Sequence, residues 1–376
     1  MKPFWLLATI FMILSGCSGA ARMTDTATPQ PVSTAPPTRS AISSPTATAA
    51  AIVPATPSPT AQPAATLPRQ EWIAYLDEGL DYIEQNALYR SEVDWPTVRA
   101  RAHERASTVE TRLEIYEILR DTLDLLGDDH SAFLNPIAAR SAEHGSPSGP
   151  MPEGRRLEHG IAYFELPRVT GTGEAAGQYA ETAVQVIRQL DSPEVCGWIV
   201  DLRENSGGNM WPMLAGISPI LGDGVVGSFV YPDGSSIDWT IRDGRAYEGD
   251  VLWAKAPAYI PENPQPPVAV LTGHETGSSG EAVAIAFRGR PETRSFGQAT
   301  AGVPTSNDVY EMPDGAWIIL TVARMADRTG QPYDASIIPD VQIEADGSTQ
   351  PRTDDPVLDA AVEWLDNTFP ACGHDG

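Results

Sequence analysis

Apolar side chains recur at helical spacing over residues 71–88, where Trp72, Tyr75, Leu76, Leu80 and Ile83 fall on one face. Asp94-Trp95-Pro96 then reads as a cap followed by an early-helix proline. Leu113, Tyr116, Leu119, Leu123 and Leu126 mark a third helix that stops at Gly127. Together these predict a small helical bundle over residues 70–135. Residues 139–157, rich in Ser, Gly, Pro and Arg, read as a loop. From Gly160 the spacing changes. Compact apolar runs at 161–166 and 195–202 predict strands, with a helix between them at about 174–190. Hairpin-like strands follow at 225–230 and 236–241, and a short buried strand at 267–271 leads into an apolar helix from Ala282. Residues 293–297, 308–312 and 317–322 add further strands. The sum is an α/β fold, a mixed sheet with flanking helices over residues 155–350, closed by a C-terminal helix and tail at 351–376.

Composition sets the two ends of the chain apart from this body. Lys2 precedes an apolar run ending in Leu14-Ser15-Gly16-Cys17, which resembles a bacterial lipoprotein signal peptide over residues 1–17 with Cys17 as the lipid acceptor. The run is short for a membrane-spanning helix. Lipidation of Cys17 implies a membrane anchor on the outer face; an uncleaved or secreted chain is the plain alternative. Residues 18–69 are almost entirely Ala, Thr, Ser and Pro, with ten prolines from Pro29 to Pro68, so no core can form there and a disordered tether is expected. The remaining residues hold 21 Lys and Arg against 49 Asp and Glu, a formal charge of −28. That excess disfavours nucleic acid and anionic lipid headgroups. It suits cationic substrates, although many acidic exported proteins are simply soluble.

Candidate chemistry concentrates at three joints. Thr276-Gly277-Ser278-Ser279-Gly280-Glu281 lies where a strand meets a helix, a place that exposes a side chain and leaves backbone N–H groups free for an oxyanion. Ser278-x-x-Glu281 is equally a capping box, and the two roles are compatible. Asp128-Asp129-His130-Ser131 puts a histidine just beyond a helix among carboxylates, either a general base or a surface turn. Arg203-Glu204-Asn205-Ser206-Gly207-Gly208-Asn209 follows a central strand, and its paired glycines allow close backbone approach without the spacing or lysine of a phosphate loop. His274 is a competing base close in sequence to Ser278. Met210, Trp211 and Met213 are either groove-lining or helix-packing residues, and Asp201 and Arg203 are candidates to brace the glycine loop. Cys196 and Cys372 could pair outside the cytoplasm, or Cys196 could be a buried small hydrophobe. No pattern implies a metal or an organic cofactor.

The order of these pieces resembles the S41 peptidases. The resemblance rests on residues 126–134, 201–208, 276–281, Gly297-Gln298-Ala299-Thr300-Ala301-Gly302, and Tyr333-Asp334-Ala335-Ser336-Ile337-Ile338-Pro339-Asp340. It implies a crotonase-like core, with Ser278 as nucleophile and oxyanion N–H groups from Ser279 and from Gly207 or Gly208. Two features depart from the processing-protease branch. Residues 135–159 are too few for a PDZ module, and Val303 stands where that branch has its lysine base. Lys255 is the one lysine outside the leader. The chain therefore resembles the tricorn and nisin-resistance branch, which implies His130 as base and Asp334 as the acid orienting it, with Asp129 as the alternative.

The expectation is a lipid-anchored, extracytoplasmic serine peptidase acting on peptides or unfolded protein tails through an acyl-enzyme. A non-catalytic peptide-binding lipoprotein and a small-substrate serine hydrolase are the rival readings. Oligomeric state is left open.

Overall fold

The computed structural model describes residues 69–144, 149–343 and 355–372. The expected signal peptide, the lipid-accepting Cys17 and the tether up to residue 68 lie outside the described residues. Three helices open the described part: α1 (Arg69–Asn86), α2 (Trp95–Ala106) and α3 (Arg112–Asp124). In α2 the Asp94 side chain accepts the Thr97 N–H, and Pro96 sits in the first turn, where its missing N–H costs nothing. Next come β1 (Ala132–Leu134), α4 (Pro136–His144), β2 (Glu153–Arg156), β3 (Ile161–Glu165), α5 (Gly173–Leu190), β4 (Gly197–Asp201) and α6 (Met210–Leu221). Four strands follow: β5 (Gly224–Val230), β6 (Ser236–Arg242), β7 (Arg245–Glu248) and β8 (Val251–Lys255). The chain continues through β9 (Val268–Thr272), α7 (Ser279–Phe287), β10 (Thr293–Gly297), β11 (Thr305–Glu311), β12 (Trp317–Asp327), β13 (Val341–Gln342) and α8 (Pro356–Thr368).

The described strands form two sheets. One runs β13-β10-β9-β4-β3-β2, parallel except for the antiparallel edge strand β2. The other is antiparallel, β1-β12-β5-β6-β7-β8, with β11 also paired to β12. Strand alternation sorts the parallel sheet's side chains to its two faces. Ala162, Phe164, Trp198, Val200, Val268 and Val270 join α5, α6, α7 and the antiparallel strands in the main core. Ile161, Tyr163, Ile199, Ala269 and Leu271 face the other way, onto Val357, Ala361 and Leu365 of α8. The N-terminal helices pack on the antiparallel sheet, with Leu76, Leu80, Ile83 and Leu119 against Ile318 and Leu320.

A disulfide, Cys196–Cys372, ties the entry of β4 to the residues just after α8. Residues 139–157 are not a plain loop, since they hold the end of α4 and all of β2. β2 reads Glu-Gly-Arg-Arg with every residue exposed, so it is a strand by pairing with β3 and shows no apolar alternation.

Candidate active site

Ser278 stands between β9 and α7 with φ 48° and ψ −113°, a backbone conformation that non-glycine residues rarely adopt. Such a residue costs roughly 1–3 kcal/mol and persists only where its surroundings over-determine it. Glu281 does this. Its buried carboxylate completes the capping box, accepts the Ser278 N–H at 2.8 Å, and also accepts the Gly302 and Val303 N–H groups at 3.0 Å each and the Thr300 hydroxyl at 2.5 Å. Burial pushes the Glu281 carboxyl upward, and these four donors pull it back. The serine is thus at once cap residue and part of the cleft lining.

The serine hydroxyl meets a base. Ser278 Oγ lies 3.0 Å from His130 Nε2, across 148 positions of sequence. On the far side of the ring, Nδ1 is 2.7 Å from the hydroxyl of Thr305, the buried first residue of β11. A neutral imidazole protonated on Nδ1 satisfies both contacts: it donates to Thr305 Oγ1 and keeps the Nε2 lone pair for the serine proton. Asp128 shapes the turn beneath the ring. One of its oxygens accepts the N–H groups of His130 at 3.0 Å and Ser131 at 2.6 Å, and the Thr321 hydroxyl at 2.9 Å. Asn307 donates to the His130 carbonyl at 3.0 Å. Burial lowers the His130 pKa below its ordinary value, and the Asp128 charge opposes that shift without cancelling it.

The glycine loop closes on the serine through Asn205, which is fully buried. Asn205 donates to the Leu166 carbonyl at 2.9 Å, accepts the Gly207 N–H at 3.0 Å, and receives the Gly277 N–H on its own carbonyl at 3.0 Å. A Cβ on Gly207, at φ +101°, would lie 2.9 Å from the Ser278 Cβ, so only glycine permits this approach. Of the two glycines expected to offer an oxyanion N–H, Gly207 already donates its own to Asn205. The Gly208 and Ser279 N–H groups have no acceptor among the described residues, and both residues line the cleft that holds Ser278 and His130. The Ser279 hydroxyl donates to the Gly208 carbonyl at 2.8 Å and fixes that peptide's orientation.

Other expected residues fall elsewhere. Asp334 forms an ion pair with Arg324 of β12 and makes no hydrogen bond to His130; the Nδ1 position it was expected to occupy belongs to Thr305. Asp129 is exposed and points to no ring atom by any hydrogen bond. His274 is exposed, and Lys255 is an exposed residue of the edge strand β8 outside the cleft. Val303 contributes backbone groups, its N–H to Glu281 and its carbonyl, which accepts the Thr305 N–H at 2.8 Å. Asp340 accepts the Ser295 N–H and hydroxyl and pairs with Arg288, which is structural bracing. Arg203 bridges Asp201 and Asp355, the cap of α8, so that pair anchors the last helix behind the glycine loop. Met210 and Trp211 line the cleft, whereas Met213 is buried beneath Asn205. Asp128 and Asn205 stand in motifs that the sequence picks out, without a role of their own there, and Thr305 stands in none.

Residues 160–343 match Peptidase family S41. These residues form a peptidase family S41 domain. The family's enzyme class, a serine-type peptidase acting on peptides or proteins, comes with it. The chain is 28% identical over 298 residues to a nisin-resistance protein from Lactococcus lactis subsp. lactis, covering 77% of this chain and 86% of that protein. A carboxyl-terminal-processing protease from Synechocystis is 26% identical over 202 residues, 53% of this chain but only 42% of that longer protein. Among solved structures, a lipoprotein from Streptococcus agalactiae superposes with a TM-score of 0.65 at 26% identity, covering 79% of this chain and 96% of that one. The matched range thus begins within the parallel sheet, at β3, and the N-terminal helices and His130 precede it.

Proposed function

We propose that this protein is an extracytoplasmic serine peptidase in which Ser278, inside the S41 domain, is the nucleophile and His130, ahead of it in the chain, is the general base. His130 Nε2 takes the hydroxyl proton as Ser278 Oγ attacks the scissile carbonyl carbon, and the carbonyl oxygen becomes an oxyanion held by the N–H groups of Gly208 and Ser279. The tetrahedral intermediate collapses with loss of the amine, which receives the proton from His130. Water, deprotonated by the same nitrogen, then releases the acyl group and restores Ser278. Thr305 holds the ring through Nδ1, where serine-type sites more often use a carboxylate, and Asp128 fixes the backbone that carries it. The observation that carries this reading is the 3.0 Å contact of Ser278 Oγ with His130 Nε2 inside a cleft of about 750 Å³.

Placement outside the cytoplasm is supported by the Cys17 signal, by the Cys196–Cys372 disulfide, which oxidising compartments favour, and by likeness to a protein described as a lipoprotein. A fluorophosphonate applied to the full chain should label one serine, and Ser278→Ala should abolish both labelling and peptide turnover. His130→Ala should lower turnover by a factor of about 100 or more. Thr305→Val should lower kcat by about ten-fold, with Thr305→Ser restoring most of it. Labelling that survives Ser278→Ala, or a Lys255→Ala chain that is the inactive one, overturns the assignment.

A further inference from the structure

The cleft extends from Ser278 to the strands β5–β8, and there it holds a carboxylate the chemistry does not use. Glu248, at the end of β7, is half-buried in the cleft lining with Phe229, Tyr231 and Trp253. Burial pushes its carboxyl above the ordinary range, the neighbouring Trp253 side chain opposes that shift, and Asp308 adds like charge; no cation among the described residues acts on it. Arg90 is the one guanidinium in that lining, but it donates to the Ala87 carbonyl and its charge acts on Asp233. Burial, with the Glu248 and Asp308 charges adding to it, pushes the Tyr231 phenol up to about 12. Beside the carboxylate, the Trp253 ring is 54% exposed, with one face stacked on Trp211 at 5.9 Å and 8°. A half-buried negative charge beside an open aromatic ring is incomplete without a guest. An ammonium or guanidinium on an aliphatic stem completes it: the charge answers Glu248, and the stem and cation lie on tryptophan.

We propose that Glu248, with Trp253, selects peptide substrates that carry a lysine or arginine side chain in the part of the peptide lying over β7 and β8. This rests on the peptidase reading of Ser278 for its substrate class, and it adds the side chain that the cleft recognises. Glu248 is a specificity residue and takes no part in bond making. Its position among β strands rather than at the nucleophile means that its loss should change which peptide is bound and leave the acyl-transfer machinery intact.

The test separates recognition from turnover. Binding is measured by calorimetry on the full chain carrying Ser278→Ala, with matched peptides that differ at one position, lysine against norleucine and arginine against citrulline, scanned along the peptide. At one position the cationic peptide should bind about ten-fold more tightly than its neutral partner. The advantage should shrink at high salt. Adding Glu248→Gln should erase that difference while leaving the norleucine peptide's affinity unchanged, and Glu248→Lys should reverse it in favour of a glutamate peptide. Equal binding of charged and neutral partners at every position, a preference that survives Glu248→Gln, or no peptide binding at all overturns the proposal. In the chain with Ser278 intact, a cation preference in binding without any hydrolysis would retire the peptidase reading and leave the basic subsite standing. Hydrolysis without a cation preference would do the reverse.

Discussion

His130 is kept neutral by where it sits, and that fixes how the site should respond to pH. Burial depresses its pKa below the ordinary histidine value of about 6.5. Above that depressed value the ring is a free base, so kcat/KM should rise with pH through a midpoint under about 6.5 and be flat by about pH 7.5. Asp128 raises the value, so Asp128→Asn should move the midpoint further down. A pH profile on a fluorogenic peptide reads both; a midpoint above 6.5, or one that climbs in Asp128→Asn, would contradict the environment described. At this scale the sequence shows Ser278, His130 and the paired glycines because each stands in a compact motif of polar residues at the end of an apolar run. It does not show Thr305. A threonine opening a strand looks like any other β-branched residue, and only the pairing of β11 with β12, itself paired to β1 beside His130, brings its hydroxyl to the ring. Asp334 illustrates the converse. Its place in a recognisable segment singles out the residue, but Arg324, ten positions earlier, claims its charge.

At the scale of elements, the start of α7 and the glycine loop are one assembly, joined at Asn205. Gly280 is where they touch most closely: a Cβ there would come within 2.2 Å of the Asn205 carbonyl oxygen. Gly280→Ala tests this cleanly because two effects oppose each other. Alanine in a helix gains up to about 1 kcal/mol over glycine. Forcing the loop off a rigid backbone atom costs about 1–3 kcal/mol and displaces Gly208 relative to Ser278. The expected outcome is a lower Tm together with a fall in kcat of about ten-fold or more; an unchanged or raised Tm would mean the loop yields without strain. The strands most readily seen in the sequence are the ones buried on both faces, β3, β4 and β9, whose apolar runs are nearly continuous. β7, β8 and β2 escape notice for physical reasons. Their side chains are largely exposed or charged, and pairing with a neighbour rather than a hydrophobic face makes them strands.

For the whole molecule, the parallel sheet divides the labour between its faces. The site lies on the side of α6 and α7, and α8 with the disulfide covers the other. Cys372→Ser should therefore lower stability by about 2–5 kcal/mol and Tm by roughly 5–15 °C, with kcat at 25 °C little changed. A thermal melt and an activity assay on the same sample check this, and a collapse of kcat without loss of Tm would show that α8 reaches the site. The α/β architecture is legible because the change from helical to strand spacing at Gly160 spans many residues. The division into two sheets is not, since no local pattern tells a strand which neighbour it will pair with.

The Cys196–Cys372 bond spans 176 positions, and that span encloses the glycine loop, the nucleophile and the whole of the antiparallel sheet except β1. A chain cleaved once anywhere inside that span, whether by a neighbouring copy or by another enzyme at the surface, remains a single covalent object. Denaturing electrophoresis would show one band until a thiol is added, and two afterwards. Damage to this molecule can thus accumulate without its pieces parting, for as long as its surroundings stay oxidising.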